Sequence, residues 1–338
     1  MTTHLSSHTL MRAWQRKSPL AIALLPLSWI FLALITLRRV LYALGWFRQV
    51  HLPVPVIVVG NIFVGGTGKT PFVIWLVEQL RERGFRPGVI SRGYGAQVDR
   101  VVAVHADSLP SEVGDEPLLI VQKTRVPVVV GRRRVRAATR LLELHPEVDV
   151  IISDDGLQHY ELGRAVEIQM SDARGHGNGW LLPAGPLREP ASRRSDFYVV
   201  NGFVPDALRS NGMTLDAEHA ERINDRSERM LLSAIPRGAR VVAAAGIGDP
   251  RRFFDMLRAN GVRPTREIAL PDHFDFSANP FANIDTDLIL ITDKDAVKCA
   301  RIDALVADSR VWTVPVTATI SGPLADNIVE KLRGNTTA

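Results

Sequence analysis

Residues 54–70, VPVIVVGNIFVGGTGKT, constrain this chain more than any other stretch. The β-branched run at 54–59 predicts a strand buried on both faces. The run at 71–83, PFVIWLVEQLRER, has apolar residues at helical spacing, with Pro71 in the first turn and Gly84 as a stop. Between them lies a glycine-rich turn. A strand, such a turn and a helix aim backbone N–H groups and the positive end of a helix at one anion, so the segment reads as a phosphate-binding loop. Gly65, Gly66, Thr67, Gly68, Lys69 and Thr70 are its residues. The glycines let the backbone curl against phosphate, Lys69 can reach the terminal phosphates, and the Thr70 hydroxyl can ligate Mg²⁺. The cofactors expected are therefore ATP and Mg²⁺. The strict pattern asks for glycine five residues before Gly68, and Phe63 stands there.

Further short apolar runs at 86–91, 126–130, 148–153, 197–201, 241–245 and 288–292 alternate with helical patterns at 135–144 and 251–260. That alternation predicts an α/β chain with a parallel sheet covered on both faces. The expected organisation is an N-terminal hydrophobic segment (1–48), a P-loop NTPase-like domain (49–200), a polar, weakly periodic connection (201–236) and a second, smaller α/β domain (237–338). The length of 338 residues and 46% hydrophobic content leave room for both cores, and the lone Cys299 excludes an intramolecular disulfide framework. Asp154 and Asp155 follow the apolar run 148–153. There, in a P-loop enzyme, a carboxylate would face the same Mg²⁺ as Thr70, although two aspartates before a glycine also make an ordinary turn.

Residues 19–37, PLAIALLPLSWIFLALITL, carry no charge and would make a helix about 28 Å long, close to the hydrocarbon thickness of a bilayer. Arg12, Arg16 and Lys17 precede the run and Arg38, Arg39 and Arg48 follow it, so charge gives no orientation. A membrane-inserted or membrane-lying helix is the main reading; a signal peptide and a buried core helix are the alternatives. The net charge of +5 asks for an anionic partner without choosing among nucleic acid, membrane and phosphorylated substrate. Taken singly, GDEP at 114–117 reads as a turn or helix cap, and His159 and His273 are uninformative. Arg132, Arg133, Arg134 and Arg136 fit a solvated helix face or an anion clamp equally well.

Together, several segments resemble the tetraacyldisaccharide 4'-kinases of lipid A biosynthesis. They are VGNIFVGGTGKTP (59–71), SRGYG (91–95), GDEP (114–117), DDGLQH (154–159), GNGWLLPAGPLREP (177–190), GIGDPRRFF (246–254), DHFDF (272–276) and TDKDAVKC (292–299), in order across most of the chain. The resemblance implies ATP-dependent phosphorylation of the 4'-hydroxyl of tetraacyldisaccharide 1-phosphate, giving lipid IVA, at the cytoplasmic face of the bacterial inner membrane. It implies an active site in a cleft between two α/β/α domains. It also implies a dyad of Asp115 and His273 that activates the sugar hydroxyl, a pairing the spacing alone could not supply. Glu116, Asp154 and Asp155 would support the metal with Thr70, and Ser91, Arg134, His159 and Arg188 would contact phosphate or substrate. The roles of Asp293 and Asp295 stay open. The expected partners are the lipid A disaccharide 1-phosphate and inner-membrane lipid, with neither nucleic acid nor an obligate protein partner. Two other classes compete: a membrane-bound ATP-hydrolysing switch, which would need no lipid acceptor, and a nucleic-acid ATPase, which lacks an interleaved aromatic and basic surface.

Overall fold

The structure is a computed structural model that describes residue 14 and residues 16–93, 100–202 and 211–335. Arg12, and Tyr94 and Gly95 of SRGYG, lie outside them. In chain order the strands are β1 (Val56–Asn61), β2 (Pro87–Ser91), β3 (Val102–Val104), β4 (Val128–Val130), β5 (Val150–Asp154), β6 (Val166–Asp172), β7 (Phe197–Asn201), β8 (Asn211–Asp216), β9 (His219–Arg222), β10 (Arg229–Leu231), β11 (Val241–Ala245), β12 (Arg266–Ala269), β13 (Leu288–Thr292), β14 (Val311–Val314) and β15 (Thr317–Ile320). They form two sheets, of order β15-β8-β7-β6-β1-β5-β2-β4-β3 and β10-β9-β14-β13-β11-β12. In the first, β8-β7-β6-β1-β5-β2-β4 is parallel throughout, and β15 and β3 are antiparallel edges. The α/β class with a second, smaller α/β unit is thus realised.

Strand β1 shows why its sequence is continuously apolar. Ile57 and Val59 face the helix Lys69–Glu82 and pack with its Phe72, Val73, Leu76 and Val77. Val56 and Val58 face the other way, with Ala137, Ala138 and Leu141 of the helix Arg134–Leu144. Side chains alternate across a strand, so a sheet with helices on both faces needs apolar residues at every position. Each fully buried side chain of this size stabilises the fold by about 1.5–3 kcal/mol. The second sheet repeats the plan: Val241, Ala243 and Leu290 line one face, Val242, Ala244, Ile289 and Ile291 the other.

The expected boundaries at 201–236 and 237–338 do not follow the sheets. The connection carries three strands; β8 extends the first sheet and β9 and β10 join the second. Strand β15 then returns to pair with β8, and the helix Leu324–Asn335 packs through Leu324, Ile328 and Leu332 into the core of the first sheet. The chain therefore crosses between the sheets at 216–219 and again at 314–317. Two short crossings, through Ala217 and Glu218 and through Pro315 and Val316, rather than one loop, tie the units together.

The apolar N-terminal run splits at Pro26, which falls in the first turn of a new helix, giving Pro19–Ala23 and Leu25–Ala43. The longer helix is long and apolar enough to cross a membrane. The buried-core alternative fails, because within this helix only Ser28 is buried while Leu27, Trp29, Ile30, Leu34, Leu37 and Val40 are exposed. One stripe nevertheless docks. Phe31 and Ile35 pack against Ile62, Leu181 and Leu187, and the Ser28 hydroxyl donates to the Leu181 carbonyl (2.8 Å) and accepts from the Ala184 N–H (2.9 Å).

Candidate active site

Five adjacent parallel strands, β2, β5, β1, β6 and β7, end in the buried polar residues Ser91, Asp154, Asn61, Asp172 and Asn201. Parallel strands bring their C-terminal ends to one edge, which is where open α/β sheets carry ligands. The glycine-rich loop of residues 65–70 lies on this edge. The Asn61 amide donates to the carbonyls of Phe63 (2.7 Å) and Gly65 (3.1 Å), and its oxygen accepts from Lys69 Nζ (3.2 Å). Asn201 donates to the Thr67 carbonyl (3.1 Å). Gly68 caps the helix at φ +85°, and a Cβ there would lie 2.2 Å from the Asn201 amide nitrogen, so no other residue fits. Thr70 is buried in the first helical turn. Phe63, the irregular position, bridges Leu187 through its backbone and belongs to the cluster contacted by the N-terminal helix.

Asp154 and Asp155 occupy different environments. Asp154 is buried; Ser91 donates to its Oδ2 (3.2 Å), while Oδ1 has no hydrogen-bond partner. Burial, reinforced by the nearby Glu116 carboxylate, pushes its carboxyl up to about 6. Asp155, at φ +50°, takes Lys69 Nζ at 3.4 Å and Arg188 Nη1 at 3.2 Å. Burial raises its pKa, but these two cations outweigh burial and hold it below the usual carboxylate range. Arg188 and Lys69 thus meet on one carboxylate. His159 is half-buried; burial first and Arg134 second push its imidazole down to about 4, so it is neutral near pH 7.

Arg134 departs from its expected phosphate or substrate contact. Its side chain is buried, and the guanidinium donates to the carbonyls of Gly131 (2.8 Å), Asp154 (3.2 Å) and Asp155 (3.5 Å). It holds the Asp154–Asp155 backbone from behind. Arg132, Arg133 and Arg136 are exposed, so of the two readings of this cluster those three fit the solvated face.

The second sheet reaches over this edge. Asp115 opens the helix Asp115–Thr124 and is buried; its Oδ2 lies 3.0 Å from His273 Nδ1 and 3.3 Å from Lys298 Nζ, and its Oδ1 accepts from the Glu116 N–H at 3.0 Å. Burial opposes the charge, yet the His273 hydrogen bond and the lysines Lys294 and Lys298 hold Asp115 far below the ordinary carboxylate range. The same hydrogen bond raises His273 against burial. With Asp115 ionised, Nδ1–H donates to it, which leaves Nε2 as the acceptor on the neutral ring. His273 sits at φ +61° in the loop after β12, so backbone geometry as well as the hydrogen bond aims the ring.

Two lysines that the sequence reading missed complete this face. The helix Asp293–Cys299 places Lys294 and Lys298 four residues apart, on one side, against the start of Asp115–Thr124. Lys294 binds Glu116 (3.0 Å) and Asp272 (3.2 Å). The signal was present as the K-x-x-x-K spacing within TDKDAVKC. Asp293 and Asp295, left open, are braces: Asp293 pairs with Lys123 (2.7 Å) and Arg226 (2.9 Å), and Asp295 accepts from Thr292 (2.6 Å) and the Gly246 N–H (2.8 Å).

Among the described residues no cluster of three or more acidic, histidine or cysteine side chains could hold a metal by itself. A phosphate-bound Mg²⁺ does not need one, since it takes one or two carboxylates beside phosphate oxygens and water. The unpartnered Oδ1 of Asp154, next to a loop bearing Thr70, fits such an ion. Glu116 is engaged by Lys294 and Asp155 by Lys69 and Arg188.

The family model described as tetraacyldisaccharide-1-P 4'-kinase matches residues 20–333. The chain is similar to the tetraacyldisaccharide 4'-kinases of Janthinobacterium sp. (strain Marseille), 55% identical with 97% of each chain covered, and of Dechloromonas aromatica, 47% identical with 97% of this chain and 98% of the relative covered. The crystal structure of the "apo" form of LpxK from Aquifex aeolicus in complex with ATP matches with a TM-score of 0.76 at 30% identity, over 93% of this chain and 99% of that one.

Proposed function

Because the chain belongs to the tetraacyldisaccharide 4'-kinase family, and so transfers phosphate from ATP to the 4'-hydroxyl of tetraacyldisaccharide 1-phosphate to give lipid IVA, we propose that it does so at the edge where the two sheets meet. The observation that carries this placement is the 3.0 Å contact between Asp115, on the first-sheet side, and His273, from the second. Gly65 to Thr70 hold the phosphates, with Lys69 on the terminal ones. Thr70 and Asp154 would hold Mg²⁺, with Asp155 and Glu116 beside them, and the ion would supply charge neutralisation at the transferring phosphoryl group.

His273 Nε2 accepts the proton of the 4'-hydroxyl, and the Asp115 carboxylate orients the ring and stabilises the imidazolium that results. An aspartate held this far below its usual range is a feeble base alone, so the proton goes to the pair. Lys298 and Lys294 keep Asp115 ionised and hold the helix Asp293–Cys299 over the site. Ser91, on the strand edge with the loop, steadies Asp154; on the acceptor side Arg188 contacts an acceptor phosphate or hydroxyl and the neutral His159 offers a hydrogen bond.

We also propose attachment to the cytoplasmic face of the inner membrane through the helix Leu25–Ala43. That helix leaves most of its apolar surface exposed and packs on Leu181 and Leu187, immediately before Arg188. An acylated acceptor held in the bilayer would then reach Arg188 along the anchored loop. A bare ATP-hydrolysing switch has no use for this arrangement.

The test is transfer of labelled γ-phosphate from ATP to the disaccharide by detergent-solubilised protein. Transfer that requires Mg²⁺ and is lost in Lys69→Ala and in Asp115→Ala, both folded, supports the reading. Normal turnover in both variants overturns it.

A further inference from the structure

Gly248 and Arg252 of the GIGDPRRFF stretch and the ring of Phe63 have no part in the roles above, and they converge on the Asp172–Arg174 pair and the Gly66 backbone that it holds. Arg174, in the turn after β6, is held by Asp172 through Nε (3.0 and 3.1 Å) and Nη2 (2.7 Å). Its Nη2 also donates to the Gly66 carbonyl at 2.7 Å, and its guanidinium carbon stands 4.6 Å from the centre of the Phe63 ring. From the second sheet, Arg252 on the helix Pro250–Ala259 donates to the same Asp172 at 3.3 Å. Gly248 brings backbone so near that a Cβ there would lie 3.2 Å from the Gly66 nitrogen.

A loop that turns its N–H groups toward phosphate must turn carbonyls away from it, and those carbonyls need donors. Asn61 serves Phe63 and Gly65, Asn201 serves Thr67, and Arg174 serves Gly66. We propose that Arg174 is a positioning residue for the phosphate loop, and that Asp172 and Arg252 couple the loop's shape to the second sheet. This explains Phe63. Where the strict loop pattern has glycine, this chain places an aromatic face under the guanidinium that shapes the loop. Lysine cannot replace Arg174, because one ammonium cannot grip Asp172 twice, reach Gly66 and stack on Phe63 together.

The inference rests on the reading of Gly65 to Thr70 as the ATP phosphate site, so Lys69→Ala is the control. Titration with a non-hydrolysable ATP analogue and Mg²⁺, together with steady-state kinetics, reads all variants. Arg174→Lys is expected to raise the analogue Kd and the KM for ATP about tenfold, while the KM for the lipid acceptor stays within about twofold. Phe63→Leu, which leaves every hydrogen bond of Arg174 in place, is expected to raise Kd about threefold, and carries the test if Arg174→Lys fails to fold. Arg252→Ala is expected to weaken analogue binding about threefold in the parent and to add nothing in the Arg174→Lys background. Unchanged Kd in Arg174→Lys or Phe63→Leu, with Lys69→Ala weakened, overturns the positioning role alone. Unchanged Kd in Lys69→Ala overturns the phosphate-site reading beneath it. Additive effects of Arg252→Ala and Arg174→Lys overturn the coupling.

Discussion

The two faces of the site are built by different means. The proposed donor face is the C-terminal edge of one parallel sheet, where Ser91, Asp154, Asn61, Asp172 and Asn201 occupy the last positions of neighbouring strands. Its polar groups are fixed by strand register and by hydrogen bonds to loop backbone. The opposite face comes from the second sheet and consists of His273 on a loop and Lys294 and Lys298 on a seven-residue helix. It is held to the first by charge: Asp115 with Lys298, Glu116 with Lys294, Asp293 with Lys123. A rigid edge suits the holding of phosphates, whereas ionic contacts between two units can part and re-form around a bulky acceptor.

If that contrast is right, losses on the donor face should be the more severe. Lys69→Ala is expected to lower kcat/KM for ATP by about a thousandfold or more in the phosphate-transfer assay, since charge neutralisation carries most of the rate. Asp154→Asn is expected to lower kcat about a hundredfold or more while stabilising the protein. In the fold Asp154 titrates near 6 rather than 3.8. Between those values the folded protein keeps a proton that the unfolded chain releases, so parent stability falls as pH rises through that window. The variant escapes that loss, and above pH 6 its nucleotide-free and metal-free form should be more stable by about 1–3 kcal/mol in denaturant titration. A destabilised Asp154→Asn would break the account of a carboxylate strained by burial.

On the second face, Lys298→Met is expected to lower kcat about tenfold and to leave the KM for ATP within about twofold. An ATP-binding defect there would erase the distinction between the faces. The smallest effect belongs outside both. Ser28→Ala strands the Leu181 carbonyl and the Ala184 N–H and should cost about 1–2 kcal/mol of stability, with kcat in detergent unchanged.

The donor face was legible because its chemistry is local. A strand, a glycine-rich turn and a helix are consecutive, and Asp154 follows a later apolar run, 148–153, that the sequence shows directly. Several things were not. Strands β8 to β10 have weak alternation and exposed positions, so the stretch 201–236 read as a connection, and pairing of β8 with β15 across a hundred residues leaves no local trace. Arg134 sits in a run of arginines whose sequence does not say which one turns inward to the carbonyls of Asp154 and Asp155. His273 and Asp115 are 158 residues apart. Only the resemblance to a family paired them, since hydrophobic pattern carries no information about which loop meets which helix. The lysines of 292–299 were visible as a spacing, but their partners were not.

The central claim is that one carboxylate from the first sheet and one imidazole from the second act as a unit. A double-mutant cycle on kcat for phosphate transfer tests it, using Asp115→Asn, His273→Ala and the double variant with saturating ATP and acceptor. The account predicts strong non-additivity, with the double variant no slower than the worse single one by more than about threefold. Two large losses that simply multiply would contradict it, and would mean that Asp115 and His273 serve the reaction separately.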